Sequence, residues 1–125
     1  MASQADLRRI ALALPEAYED LHRRRPAFRV RKRIFAMLGV TGNGALFPDL
    51  AADDIAVAKL DREDQLNMAA AYPDAIEPTE TYGHHGWTYI RLPRTDEAVL
   101  STALRPAWTH VAPKSLVSRL IGEGV

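Results

Sequence analysis

Seven of the eleven residues from 23 to 33 are cationic: Arg23, Arg24, Arg25, Arg29, Arg31, Lys32 and Arg33. A guanidinium presents a planar fork of donors that matches phosphate and carboxylate oxygens two at a time, so such a run suits anions. The bias is local. Residues 1–40 hold nine basic and four acidic side chains, a net +5, and the rest of the chain carries −5, since Lys plus Arg and Asp plus Glu are 16 each. Bulk charge therefore explains nothing, and anion contacts must come from this patch, with Lys59 as a nearby addition. The competing reading is a solvated strand face in an Arg-rich composition, 13 Arg to 3 Lys.

Other chemistries find less support. The chain has no cysteine, which excludes thiol nucleophiles, thiolate metal sites, iron–sulfur clusters and disulfides. Its histidines are His22, His84, His85 and His110. Neighbouring imidazoles on a strand point opposite ways and no His-x-x-x-His spacing occurs, so His84 and His85 read as a solvent-facing turn, with no metal or cofactor expected. No Gly-x-Ser-x-Gly elbow surrounds Ser3, Ser101, Ser115 or Ser118, and Gly42-x-Gly44 lacks the third glycine of a dinucleotide loop. Asp53-Asp54 and the acids of 61–64 sit where caps and solvated turns are expected. The expectation is a protein that is not an enzyme. Trp87 and Tyr89 alternate with Arg91 on one strand face; they either pack in a core or, on an open sheet, stack bases or a planar ligand.

The elements that must hold these side chains fit one domain, residues 1–125, with 47% hydrophobic and 26% charged residues. Ser3 caps a first helix with Asp6 in the capping-box position, and Leu7, Ile10, Ala11 and Leu14 form its buried stripe. Pro15 stops it. Residues 17–22 read as a short strand. Residues 27–30 and 34–40 read as strands joined tightly around Arg31 and Lys32, with Phe28 and Val30 on one face and Arg29 and Arg31 on the other. Thr41-Gly42-Asn43-Gly44 predicts a turn and residues 45–47 a short strand. Residues 55–60 predict a buried strand, and Asp61 caps a second helix to about Tyr72. Residues 76–82 and 87–92 predict a strand pair around residues 83–86. Thr95 is expected to cap a helix whose stripe is Leu100, Ala103, Leu104, Ala107, Trp108 and Val111. Pro106 is expected to start a new helical segment. Residues 113–121 predict a last helical turn or two. Strands clustered between helices imply an α+β domain with an antiparallel sheet of five or six strands and helices on one face. No apolar run is long enough for a signal peptide or membrane span, which predicts a cytoplasmic protein that makes no membrane contact. A monomer is expected.

Leu14-Pro15-Glu16-Ala17, Phe28-Arg29-Val30 with Ile34-Phe35-Ala36, Val57-Ala58-Lys59-Leu60 and Trp87-Thr88-Tyr89-Ile90-Arg91-Leu92, in this order and spacing, resemble the MmcQ/YjbR-like family of small bacterial proteins. The run from Trp108 to Val111 fits as well, so the resemblance spans about residues 7–120. It implies a CyaY/frataxin-like α+β fold. It also implies DNA binding through paired wings, a name given by structural analogy. Iron binding on such a fold needs an acidic first helix; here Arg8 and Arg9 oppose Asp6, which argues against it. Two departures stand out. Arg31 and Lys32 occupy a turn where the family usually has small residues, and His84 stands where it usually has a Lys. The expected contacts are therefore Arg23, Arg24, Arg25, Arg29, Arg31, Lys32, Arg33 and Lys59 on phosphates, weak and sequence-tolerant. The alternative is a protein-interaction or small-anion-binding module using the same arginines.

Overall fold

A computed structural model of the chain describes residues 1–39, 54–80 and 82–123, the last five by backbone alone. The expected turn at 41–44 and strand at 45–47 lie outside them. Helix α1 (Gln4–Leu12) is followed by β1 (Tyr18–His22), β2 (Arg25–Val30), β3 (Arg33–Leu38) and β4 (Ile55–Lys59). Helix α2 (Arg62–Ala71), β5 (Ile76–Pro78), β6 (Trp87–Arg91), α3 (Glu97–Val111) and α4 (Lys114–Glu123) complete the order. The six strands form one sheet in the order β1-β2-β3-β4-β6-β5, every neighbouring pair antiparallel. The architecture is α+β, as the element order implied.

The helices bury one sheet face. Leu7, Ala11 and Leu14 of the first helical region, Met68 of α2, Leu116 of α4 and the α3 stripe pack with Phe28, Val30, Ala36, Ala58 and Ile90. The capping box of α1 closes as expected: Asp6 N–H donates to Ser3 Oγ at 3.3 Å and Ser3 N–H to Asp6 Oδ2 at 2.9 Å. Asp61 caps α2, accepting from Asp64 N–H at 2.8 Å.

Three expectations are corrected. Asp96, not Thr95, caps α3 by accepting from Val99 N–H at 2.9 Å; Thr95 Oγ1 instead donates to the Leu92 carbonyl at 2.9 Å. Pro106 does not begin a new segment but lies inside one continuous helix. The lost main-chain bond is offset by a stripe in which Leu100, Leu104, Ala107 and Trp108 are fully buried. Strand β5 ends at Pro78, at the sheet edge where a missing N–H costs no ladder bond.

A bulge sets the faces of the β2–β3 hairpin. Phe28 pairs with Ala36 but Arg29 with Ile34, leaving Phe35 as the extra residue. Phe35 and Ala36 both enter the helix-covered core, which strict alternation forbids. Beyond the bulge, Arg29 and Ile34 come to the opposite face. That face has its own small core of Ile55, Val57 and Tyr89, with Met37 and Trp87 packed against it. Tyr89 is thus a buried residue, although it faces away from the helices.

Candidate nucleic-acid interface

Strand β2 divides the cationic run. Arg23 and Arg24 form the turn from β1 to β2, whereas Arg31 and Lys32 form the turn from β2 to β3. At about 3.3 Å per residue the two tips stand roughly 20 Å apart, at opposite ends of the strand. All four turn residues have positive φ: 52° and 69° at Arg23 and Arg24, 49° and 70° at Arg31 and Lys32. This is the two-residue turn that matches strand twist, normally built from Asn and Gly. Both hairpin tips therefore carry long cations on backbone that favours glycine.

Internal partners take up several charges. Arg31 makes a two-pronged pair with Glu16 at 2.8 and 3.0 Å, which raises its already high pKa. Arg29 pairs with Asp20 at 2.9 Å and donates to the Lys32 carbonyl at 2.9 Å, bracing its own hairpin. Arg25 donates to the Gly39 carbonyl at 2.5 Å. Arg23, Arg24, Lys32 and Arg33 are exposed and pair with no carboxylate among the described residues. Arg29, Arg31 and Arg33 do not share one face, because the turn sends Arg31 to Glu16.

Arg29 and Arg33 instead meet Lys59. An open cleft of about 520 Å³ is lined by Arg29, Arg33, Ile34, Lys59, Trp87, His110 and Val111. Its cations come from three adjacent strands, β2, β3 and β4, at the end of the sheet where the β2–β3 turn lies. None of these described lining residues is a carboxylate. Lys59 Nζ sits 5.7 Å from the Trp87 ring centroid, a cation–π separation worth about 0.5–1 kcal/mol in partly exposed settings. His110, from the end of α3, completes the lining on the helix side. Asp64 of α2 interacts with it, although burial, followed by Asp61 and Glu63, holds the Asp64 carboxyl above the ordinary range.

Buried polar groups fix the Trp87 backbone. Gln65 of α2 is fully buried, and its Nε2 lies within donating distance of the Gly83 carbonyl (3.0 Å), Thr88 Oγ1 (3.0 Å) and the Trp87 carbonyl (3.2 Å). Thr88 Oγ1 passes a bond on to the Gly86 carbonyl at 2.9 Å. Gly86 has φ of 96°, and a Cβ there would lie 2.0 Å from the Leu60 carbonyl oxygen. Only glycine fits this approach, which continues the β4–β6 ladder up to Trp87. On the same sheet face, burial and then Glu80, which accepts from the Tyr89 hydroxyl at 2.9–3.0 Å, push the Tyr89 phenol well above its ordinary pKa.

Sequence reasoning missed His110 and Gln65. His110 gave no spacing signal, and Gln65 resembled any solvated helix residue; both are recognisable only once the sheet brings distant segments together. His84 and His85 are exposed, their rings 4.0 Å apart. Among the described residues no cluster of three metal-ligating side chains occurs, and no helix is long and apolar enough to cross a membrane.

Similarity to known proteins points the same way for the fold. The crystal structure of Deinococcus radiodurans protein DR2400, with the family-model domain DUF419, superposes with a TM-score of 0.70 at 21% identity. The match covers 92% of this chain and 82% of that one. No curated protein matches the chain. A sequence model of the YjbR family matches residues 12–110, a span that takes in every described strand and each cleft residue but Val111, and the chain belongs to the YjbR family.

Proposed function

We propose that the chain is a non-catalytic, cytoplasmic DNA-binding protein that holds the phosphate backbone weakly and without sequence preference. The contacts are centred on Arg33 and Lys59, with Lys32 beside them at the hairpin tip and Arg29, already held by Asp20, on the cleft wall. The observation that carries this reading is the convergence of Arg33 and Lys59, neither paired with a described carboxylate, beside Arg29 in a cleft whose described lining holds no carboxylate. Arg23 and Arg24 form a second, separate cationic tip. Arg25 and Arg31 act mainly as internal braces. Phosphate contacts supply affinity without reading bases.

Titration of a labelled duplex at three salt concentrations tests it. With about three to four phosphates engaged, log affinity falls against log salt with a slope near −3. Replacing Arg33 and Lys59 together by Ala reduces that slope by about 2. Absence of binding at low salt, or binding indifferent to salt and to both substitutions, would remove the reading. The concave shape of the cleft favours a second reading, a small phosphorylated ligand, whose affinity would depend only shallowly on salt.

A further inference from the structure

The two tryptophans occupy opposite environments. Trp108 is fully buried in the helix-covered core. Trp87 is half-buried: it packs against the Ile55, Val57 and Tyr89 cluster and also lines the cationic cleft. Its backbone is held by Gln65 and by pairing with Lys59 across the ladder. An indole of restricted freedom therefore stands among Arg29, Arg33 and Lys59, the Lys59 ammonium 5.7 Å from its ring.

Phosphates alone need no aromatic group. In a duplex the base faces are stacked on one another, leaving only edges and backbone for a protein. An unpaired base offers a π-face, and an aromatic platform set among cations is what a single strand engages. We propose that the cleft takes unpaired nucleotides of single-stranded DNA, a base stacking on Trp87 while flanking phosphates engage Arg33 and Lys59. This inference rests on the DNA-binding reading above and narrows it to one class of ligand. Stacking has no sequence requirement, since every base has a π-face.

A labelled oligothymidylate of about a dozen nucleotides, within the span that one such groove covers, is compared with a duplex of equal length at low salt. Anisotropy gives affinity, and tryptophan emission reports on Trp87, since Trp108 is shielded from ligand. The expected result is affinity for the single strand at least about tenfold above that for duplex, with quenched emission. Trp87→Leu should weaken single-strand binding by about 5- to 150-fold, the range that loss of one stacked base spans. Trp87→Phe, which can still stack, should retain most of it. Thermal melting verifies that each variant folds; if Trp87→Leu does not, wild-type emission and Trp87→Phe decide. Equal affinity for both ligands with unchanged emission, alongside salt-dependent duplex binding, would overturn the stacking inference and leave the DNA-binding reading intact. No binding of either ligand would overturn both.

Discussion

The Trp108 indole Nε1 donates to the Pro15 carbonyl oxygen, 3.0 Å away, tying α3 to the segment that leaves α1. The side chain combines complete burial with a bond that satisfies a main-chain acceptor. Trp108→Ala should therefore cost about 3–5 kcal/mol. Trp108→Phe keeps much of the apolar volume but leaves the carbonyl unpaired, adding about 1–3 kcal/mol to a smaller cavity cost. Urea unfolding of both variants checks this; a Phe variant as stable as wild type would show that the bond contributes nothing.

The separation of the cationic tips predicts unequal effects. A short oligonucleotide confined to the cleft should lose affinity on replacement of Arg33 and Lys59 and keep it on replacement of Arg23 and Arg24. Arg23 and Arg24 are exposed charges that contribute little stability, so their loss should leave melting nearly unchanged, whereas loss of Arg33 with the half-buried Lys59 should cost at most about 1 kcal/mol, from the contact with Trp87. Equal losses from the two pairs would mean that both tips contact the same few phosphates.

The strained turns predict a trade between stability and binding. Arg24→Gly, at φ 69°, should stabilise by about 1 kcal/mol, roughly 3–5 °C in Tm. Lys32→Gly, at φ 70°, should stabilise similarly while weakening DNA binding, because it removes a tip cation beside the cleft. Calorimetry and titration on the same samples separate the two effects.

Gln65 is expected to act on the cleft without touching a ligand. Gln65→Ala leaves the Gly83 and Trp87 carbonyls short of a donor and should destabilise by about 1–3 kcal/mol. It should also loosen Trp87, visible as lower tryptophan anisotropy. Gln65→Glu, similar in shape but an acceptor where donors are needed, should not restore either property.

Acid sensitivity follows from the capping box. Hydrogen bonds from the Ser3 backbone and hydroxyl, then Arg9, lower the Asp6 pKa below its ordinary 3.8. The ionised form is thus favoured on folding, so its contribution is complete above the unfolded value and disappears as pH falls through the lower folded value. Asp6→Asn should reduce stability at neutral pH and flatten the acid limb below about pH 4, where the wild-type contribution is lost. Parallel acid limbs in the two proteins would refute this.

Much of the fold was legible because several levels of the sequence agree. Ser3 and Asp6, the Leu7–Leu14 stripe and the α3 stripe all say where apolar faces lie. Thr95 and Asp96 are both competent caps, and only the chain's path decides between them. Pro106 reads as a break locally, but tertiary burial outweighs its cost. The cationic run was misleading as a unit, since a strand carries its neighbours apart at its own rise. The bulge at Phe35 shifts the alternation by one residue, a change that no residue type announces. The cleft was the least legible part, being assembled from β2, β3, β4, β6 and the far end of α3.

The roughly 20 Å between hairpin tips, the length of β2 and its turns, makes the strand a ruler. A ligand shorter than that span can engage one tip at a time, and its affinity reports one local site. A duplex advancing 3.4 Å per base pair needs about six pairs to reach from tip to tip. Affinity measured against ligand length should therefore rise in a step near that length. If both tips contact the backbone, the second should bind beyond the step at high effective concentration, with valency set by the hairpin's own dimensions.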